Sequence, residues 1–271
     1  MGRLLARIFT RQNYHVIILG RNRTKLRKIA ARIHAQTGDL ADLPKARIVI
    51  VSVPIESMVD VCADALQHMA KDSLLIDIAS VKTGVVDKIE RHVPTRIQYL
   101  SLHPLFGPST RSTKGRNIVA VRVRPGPLCD RMISLLRNLK FNIRIVSAEE
   151  HDKAMAVFQV MHHYAFLVLG VKLAEIMRRN QEVWNLVPRS MKRTSEQLQS
   201  MNMIIETLLA IQRYNPYATA ARRAFAVSAS RMATMDDGAV LEIKKAMSVI
   251  KSRLPTGRLA PPRRAFHRRK I

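Results

Sequence analysis

At 271 residues, 47% of them hydrophobic, the chain can bury a sizeable core and form one large or two medium domains. Two widely separated cysteines, Cys62 and Cys129, exclude a disulfide framework and a zinc pattern and are expected as packing thiols. No apolar signal segment opens the chain, and no apolar stretch near 20 residues runs free of charge or histidine pairs, so a soluble cytoplasmic protein without a membrane partner is expected. The formal charge of +26 leaves two options, a nucleic-acid binder with its charge on one face or a broadly cationic surface that favours anionic small molecules.

In chain order, residues 3–11 place Leu4, Leu5, Ile8 and Phe9 at helical spacing, and residues 16–20 are a short apolar run ending in glycine, which predicts helix and then strand. Further strands are expected at 47–53, 73–79, 96–101, 117–123 and 141–146. Amphipathic helices are expected at 24–36, 57–70, 84–91 and 127–139. Such alternation predicts an α/β fold with a Rossmann-like, doubly wound parallel sheet over residues 1–147. The pattern changes at Ser147, where Glu150 three positions later makes a capping box and starts a long helix. Residues 148–253 are helical in pattern, with apolar content beyond what one layer buries, so an all-helical dimerisation domain and a homodimer are expected. Residues 254–271, rich in proline and arginine, read as a basic disordered tail.

A doubly wound nucleotide-binding unit starts with a strand, a glycine-rich turn and a helix that receives the pyrophosphate. Gly2 stands where the third glycine of that turn belongs, and Arg21, 19 positions later, stands where the ribose-facing residue belongs. The first strand and the first two glycines are absent on this register, and the natural coding sequence is expected to start upstream of Met1. The segment GRNRTK offers Arg21, Arg23 and Lys25 with no carboxylate, which favours the extra phosphate of NADP over NAD. Asn22, and Ser52, Val53 and Pro54 at the end of the 47–53 strand, are also expected on the cofactor side.

Two stretches, LLIDIASVKTG and YLSLHPLFGPS, sit at strand ends, where ligands of open α/β sheets bind. Ser80 can offer a hydroxyl to a substrate or ribose oxygen. His103, held extended by Pro104, can take a proton from an alcohol as hydride leaves its carbon. These two motifs, with 22 residues between Ser80 and His103, resemble those of the prephenate and arogenate dehydrogenases of tyrosine biosynthesis. The resemblance continues through SAEEHDKAMAVFQVMHHYAF. It implies that His103 deprotonates the ring hydroxyl, that Ser80 holds that hydroxyl beside the cofactor ribose, and that His163 positions the substrate, whereas His162 is structural. The family's arginine for a substrate carboxylate falls on Gln199 here, with Arg193 as the nearby substitute. Lys82 is open between a structural and a cofactor-side charge.

The resemblance thus implies oxidative decarboxylation of prephenate to 4-hydroxyphenylpyruvate with NADP, or NAD, as acceptor. Arogenate is the close alternative, and another NADP-linked hydroxyacid dehydrogenase a further one. An alternative of another class is an inactive paralogue that binds nucleic acid or a protein partner through its basic surface.

Overall fold

In β4 (Leu74–Asp77) every side chain is buried, and successive residues serve opposite faces of the sheet. Leu74 and Ile76 meet Leu100 and Leu102 of β5 (Gln98–Pro104), Ile118 and Ala120 of β6 (Asn117–Arg124), Leu5 and Phe9 of α1 (Gly2–Thr10), and Leu128, Met132 and Leu136 of α5 (Pro127–Asn138). Leu75 turns the other way, to Val51 of β3 (Ile48–Val51), Met58, Cys62 and Leu66 of α3 (Ile55–His68), and Val85, Val86 and Ile89 of α4 (Val85–Glu90). One strand therefore feeds two cores, and helices cover both faces. Each fully buried aliphatic side chain contributes roughly 1.5–3 kcal/mol relative to exposure. Cys129 and Cys62 are fully buried, one in each core.

The computed structural model describes residues 1–253, in two compact units, Met1–Arg222 and Arg223 onward. The first unit holds a five-stranded sheet in the order β3-β4-β5-β6-β7, with β7 at Asn142–Ile145. All of its pairs are parallel except β5 with β6, which is antiparallel. A separate parallel pair joins β1 (Ile17–Ile18) to β2 (Gln36–Thr37). Each of the six expected strands is present. The helix expected at 24–36 is shorter: α2 (Arg23–Ile33) stops where His34 takes a left-handed φ of 55°, which frees Gln36 and Thr37 to pair with β1.

Ser147 and Glu150 form the expected capping box, the Ser147 Oγ accepting from the Glu150 amide and the Glu150 carboxylate accepting from the Ser147 amide. From there α6 (Ala148–Met155), a π turn (Ala156–Met161) and α7 (His162–Arg179) run on as one helix of 32 residues. By length and composition alone this helix is apolar enough to cross a membrane. It is followed by α8 (Arg189–Asn202), α9 (Ile205–Tyr214) and α10 (Ala218–Arg231). Val160 packs against Ile211 and Ala218, and Gln212 donates to the Val160 carbonyl. In the second unit, α11 (Asp237–Arg253) is tied to the end of α10 by an Arg231–Glu242 ion pair at 2.7 Å. The basic tail expected at 254–271 lies outside the described residues.

Candidate active site

His103 lies near the C-terminal end of β5, and Ser80 follows β4, its neighbour in the sheet. Pairing of Asp77 with Ser101 aligns the two strand ends, which brings the two motifs to one edge. Gly84, at φ +77°, lets the chain turn from Lys82 into α4 without strain. Ser80 is half-buried, whereas His103 is buried.

A chain of hydrogen bonds stands behind His103. Its Nδ1 lies 2.8 Å from Nε2 of His151, and His151 Nδ1 lies 2.7 Å from Oδ1 of Asp152. A carboxylate only accepts, so His151 carries its proton on Nδ1 and leaves Nε2 as a lone pair. His103 must then donate from Nδ1, which makes its own Nε2 the basic atom. Burial, then the charge of Lys82, then His151 hold the His103 pKa well below the ordinary 6.5, so the ring is neutral and able to accept a proton.

Asp152 is fixed by more than His151. Its carboxylate also accepts from the amides of Lys82 and Thr83 at 2.9 and 2.7 Å, and Asn215 donates to its backbone carbonyl at 2.9 Å. The start of α6 is thereby clamped onto the loop that carries Ser80. Lys82 is fully buried, and its ammonium donates to Ser101 Oγ at 2.7 Å and the Leu102 carbonyl at 2.8 Å, with Asp77 at 3.3 Å. Tyr99 donates to the other oxygen of Asp77 at 2.8 Å. Desolvation lowers the Lys82 pKa, opposed by Asp77 and Asp152. Of the two options for Lys82, the geometry puts it in the structural network beneath His103.

On the helical side, His163 is half-buried at the start of α7, directly after the π turn, a distortion frequent at functional sites. His163 Nδ1 and Gln159 Oε1, four residues apart, are buried atoms without a hydrogen-bond partner. Burial, with His162 adding to it, lowers the His163 pKa to about 4. His162 is exposed and rests edge-on against Phe166. Arg193 is an exposed residue of α8 with no hydrogen bond or ion pair to Ser80, His103 or His163. Arg213 and Arg222 line a cavity of about 470 Å³ with Tyr164, Leu167 and Leu209.

At the same C-terminal edge of the sheet, one residue past β3, the Gly2 amide donates to Ser52 Oγ at 2.8 Å, and a Cβ on Gly2 would lie 3.1 Å from both Cβ and Oγ of Ser52. A side chain at Gly2 would push Ser52 aside by a few tenths of an ångström, a close approach that suits the packing role of a third glycine. Ser52, Val53 and Pro54 lead from β3 into α3. Asn22 caps α2 by accepting from the Lys25 amide, Arg23 donates to the Gly38 carbonyl, and Arg21 is exposed at the end of the β1 segment.

His151, Asp152 and Gln159 were not singled out individually by sequence reasoning. The capping box was the available signal, since it fixes His151 and Asp152 in the first turns of a helix, but not what that turn touches. One consequence is measurable. The unfolded chain takes up protons on His103 and His163 as pH falls below 6.5 that the folded chain refuses. Stability is then fully present above 6.5 and declines toward pH 4, for His103 alone by up to about 1.4 kcal/mol per pH unit. Tm should be lower at pH 5 than at pH 7; equal values would show that neither ring is held neutral.

Residues 5–117 match the family described as prephenate dehydrogenase, nucleotide-binding domain. A probable arogenate/prephenate dehydrogenase of Methanocaldococcus jannaschii is 26% identical over 181 residues, 65% of this chain and 41% of its own. A T-protein of Enterobacter agglomerans is 32% identical over 135 residues, 49% of this chain and 35% of its own. The chain spans less than half the length of these two relatives. Among solved structures, Synechocystis arogenate dehydrogenase aligns with a TM-score of 0.71 at 18% identity, over 93% of this chain and 94% of its own. A prephenate dehydrogenase from A. aeolicus, in complex with hydroxyphenyl propionate and NAD+, gives 0.71 at 14% identity, over the same 93% and 94%. At such identities the likeness to the solved structures is one of fold. The sequence match to the prephenate dehydrogenase nucleotide-binding domain thus covers residues 5–117, and over nearly its whole length the chain shares the fold of these solved prephenate and arogenate dehydrogenases.

Proposed function

We propose that the chain is a nicotinamide-linked dehydrogenase that converts prephenate to 4-hydroxyphenylpyruvate and CO2, with arogenate as the alternative substrate. The carrying observation is the chain Asp152–His151–His103, which leaves a neutral Nε2 free to accept a proton on a buried histidine of β5, the strand paired with the one that leads to Ser80. A nicotinamide, when bound, supplies the hydride acceptor. The Nε2 of His103 takes the proton of the ring hydroxyl, which favours carbonyl formation at that carbon. Ser80 holds the same oxygen and fixes its distance from His103. Loss of the ring carboxylate as CO2 then restores aromaticity. The unpartnered atoms of His163 and Gln159 suit polar groups of the substrate, and Arg193 is the sequence-based choice for a carboxylate.

For the cofactor, the residues present fit a dinucleotide. Gly2 brings α1 against Ser52, the first turn of α1 holds no acidic residue to repel a phosphate, and Arg21 is exposed for a ribose phosphate. Asn22 and Arg23 support that position through the α2 cap and the Gly38 carbonyl. NADP is the proposed acceptor, with NAD as the weaker one. Arg21→Glu is expected to weaken NADP binding by about 10- to 100-fold, a loss of roughly 1.4–2.8 kcal/mol, and to leave NAD nearly unchanged. Fluorescence titration with both cofactors reads this; equal losses for the two would remove Arg21 from phosphate recognition. Parallel assays with prephenate and arogenate then decide which substrate turns over.

We also assign a homodimer, in the cytoplasm. The long helix exposes Val157, Phe158, Val168, Leu169 and Val171, an apolar surface that a second copy would cover.

A further inference from the structure

His103 is one of a pair of enclosed imidazoles. His103 and His151 are only 4% and 1% exposed, and the nitrogens that face each other, His103 Nδ1 and His151 Nε2, are 2.8 Å apart. The ring centroids are 5.0 Å apart, a distance that the nitrogen separation and two ring radii account for. Both nitrogens therefore lie close to the line between the rings, and the N–H of one is aimed at the lone pair of the other. Behind His151, Asp152 Oδ1 lies 2.7 Å from Nδ1. Among the described residues, no carboxylate hydrogen-bonds to His103 itself.

The charged groups around the pair favour a cation on the inner ring. Asp152 of α6 touches His151 and is one ring removed from His103. Lys82, from the loop after β4, has the opposite sign, and burial together with its charge disfavours a second cation on His103. Asp77 of β4 offsets part of the Lys82 field from 3.3 Å, and Tyr99 of β5 donates to the other Asp77 oxygen. A proton accepted at Nε2 of His103 thus creates a charge that is better placed one ring further in.

Resting on the dehydrogenase reading, we propose that His151 holds the positive charge while the substrate reacts, as a positioning residue that acts through His103. As hydride leaves the ring carbon for the acceptor, the hydroxyl O–H bond breaks, its electron pair becomes the second bond of the carbonyl, and Nε2–H forms on His103. The Nδ1–H bond of His103 breaks and Nε2–H forms on His151, which becomes an imidazolium against the Asp152 carboxylate. When CO2 leaves, the electron pair of the broken C–C bond passes through the ring to the same oxygen. That oxygen takes a proton back from His103 Nε2, and the Nδ1 proton returns from His151. Both rings recover their starting tautomers. No net proton is released, so the relay works in a site closed to water.

The first test is nitrogen-15 observation of both imidazoles in residues 1–271, without cofactor or substrate, as the solution is taken from about pH 8 to about pH 5. The first proton to enter the pair is expected to give His151 protonated on both nitrogens and His103 switched from Nδ1–H to Nε2–H. Two protonated nitrogens on His103 beside a lone pair kept on His151, or no uptake before the chain unfolds, would overturn the proposal. The second test is His151→Gln, whose side chain can accept from His103 Nδ1 and donate to Asp152 but cannot take a proton. In single turnovers the hydride step is expected to slow by about 10- to 100-fold, with KM within about 2-fold of the parent. Its rate should depend on deuterium content along a curve in the parent and along a straight line in the variant. A parental rate in His151→Gln would reduce His151 to a spacer. If the variant does not fold, the parent decides alone, because a straight line there means one proton in flight and no relay. Absent turnover in the parent would overturn the dehydrogenase reading and leave the nitrogen-15 result intact, whereas turnover with a straight line overturns only the relay.

Discussion

His103→Asn should lower kcat by about 10²- to 10⁴-fold and leave cofactor affinity unchanged. Asparagine keeps a donor that can reach His151 Nε2 but presents no basic atom to the substrate hydroxyl. The loss should therefore fall on kcat, because the proton is in transit only in the transition state. Stopped-flow formation of the reduced cofactor separates this from a binding defect. A variant that turns over within a few-fold of the parent would transfer the base to another residue and favour a hydroxyacid dehydrogenase of different chemistry.

Asp152 is the second position of large effect, and two substitutions divide its roles. Asp152→Ala leaves the amides of Lys82 and Thr83 and the His151 ring proton without acceptors in a buried site. Breaking such a cluster costs about 3–5 kcal/mol, read as a shift of the urea midpoint. Asp152→Asn keeps the shape but not the acceptor pattern. The two amides and the ring approach both oxygens, and an amide group must turn its NH2 toward one of them. If the NH2 faces His151, the ring proton moves to Nε2, and His103 must carry its own proton on the atom that should be basic. If it faces Thr83, two donors oppose each other. Asp152→Asn should thus lose kcat comparably to His103→Asn while remaining folded, a split that a purely structural carboxylate would not produce. Nitrogen-15 shifts of the two imidazoles report the tautomer directly.

Much of this was legible in the sequence, and the reasons differ by element. Strand β4 announced itself because an uninterrupted apolar run matches a strand buried on both faces. α6 announced itself because Ser147 and Glu150 satisfy each other locally. β2 was hidden, because Gln36 and Thr37 continue a helical composition and only the left-handed turn at His34 separates them from α2. Ser80 and His103 could be named from their strand-end positions. His151 could not, since its partner lies 48 residues away and no periodicity records that contact. Lys82 was ambiguous for the same reason: its three acceptors come from β4 and β5, and a lysine in sequence looks the same whether solvated or enclosed.

The most direct test is simultaneous measurement of reduced nicotinamide and CO2 from prephenate, with NADP and NAD in parallel. It should use residues 1–271. The account predicts equimolar products, faster with NADP than with NAD, and abolished by His103→Asn. Failure to turn over prephenate or arogenate with either cofactor would contradict it. Salt-sensitive nucleic-acid binding in that case would identify the cationic surface as the working one.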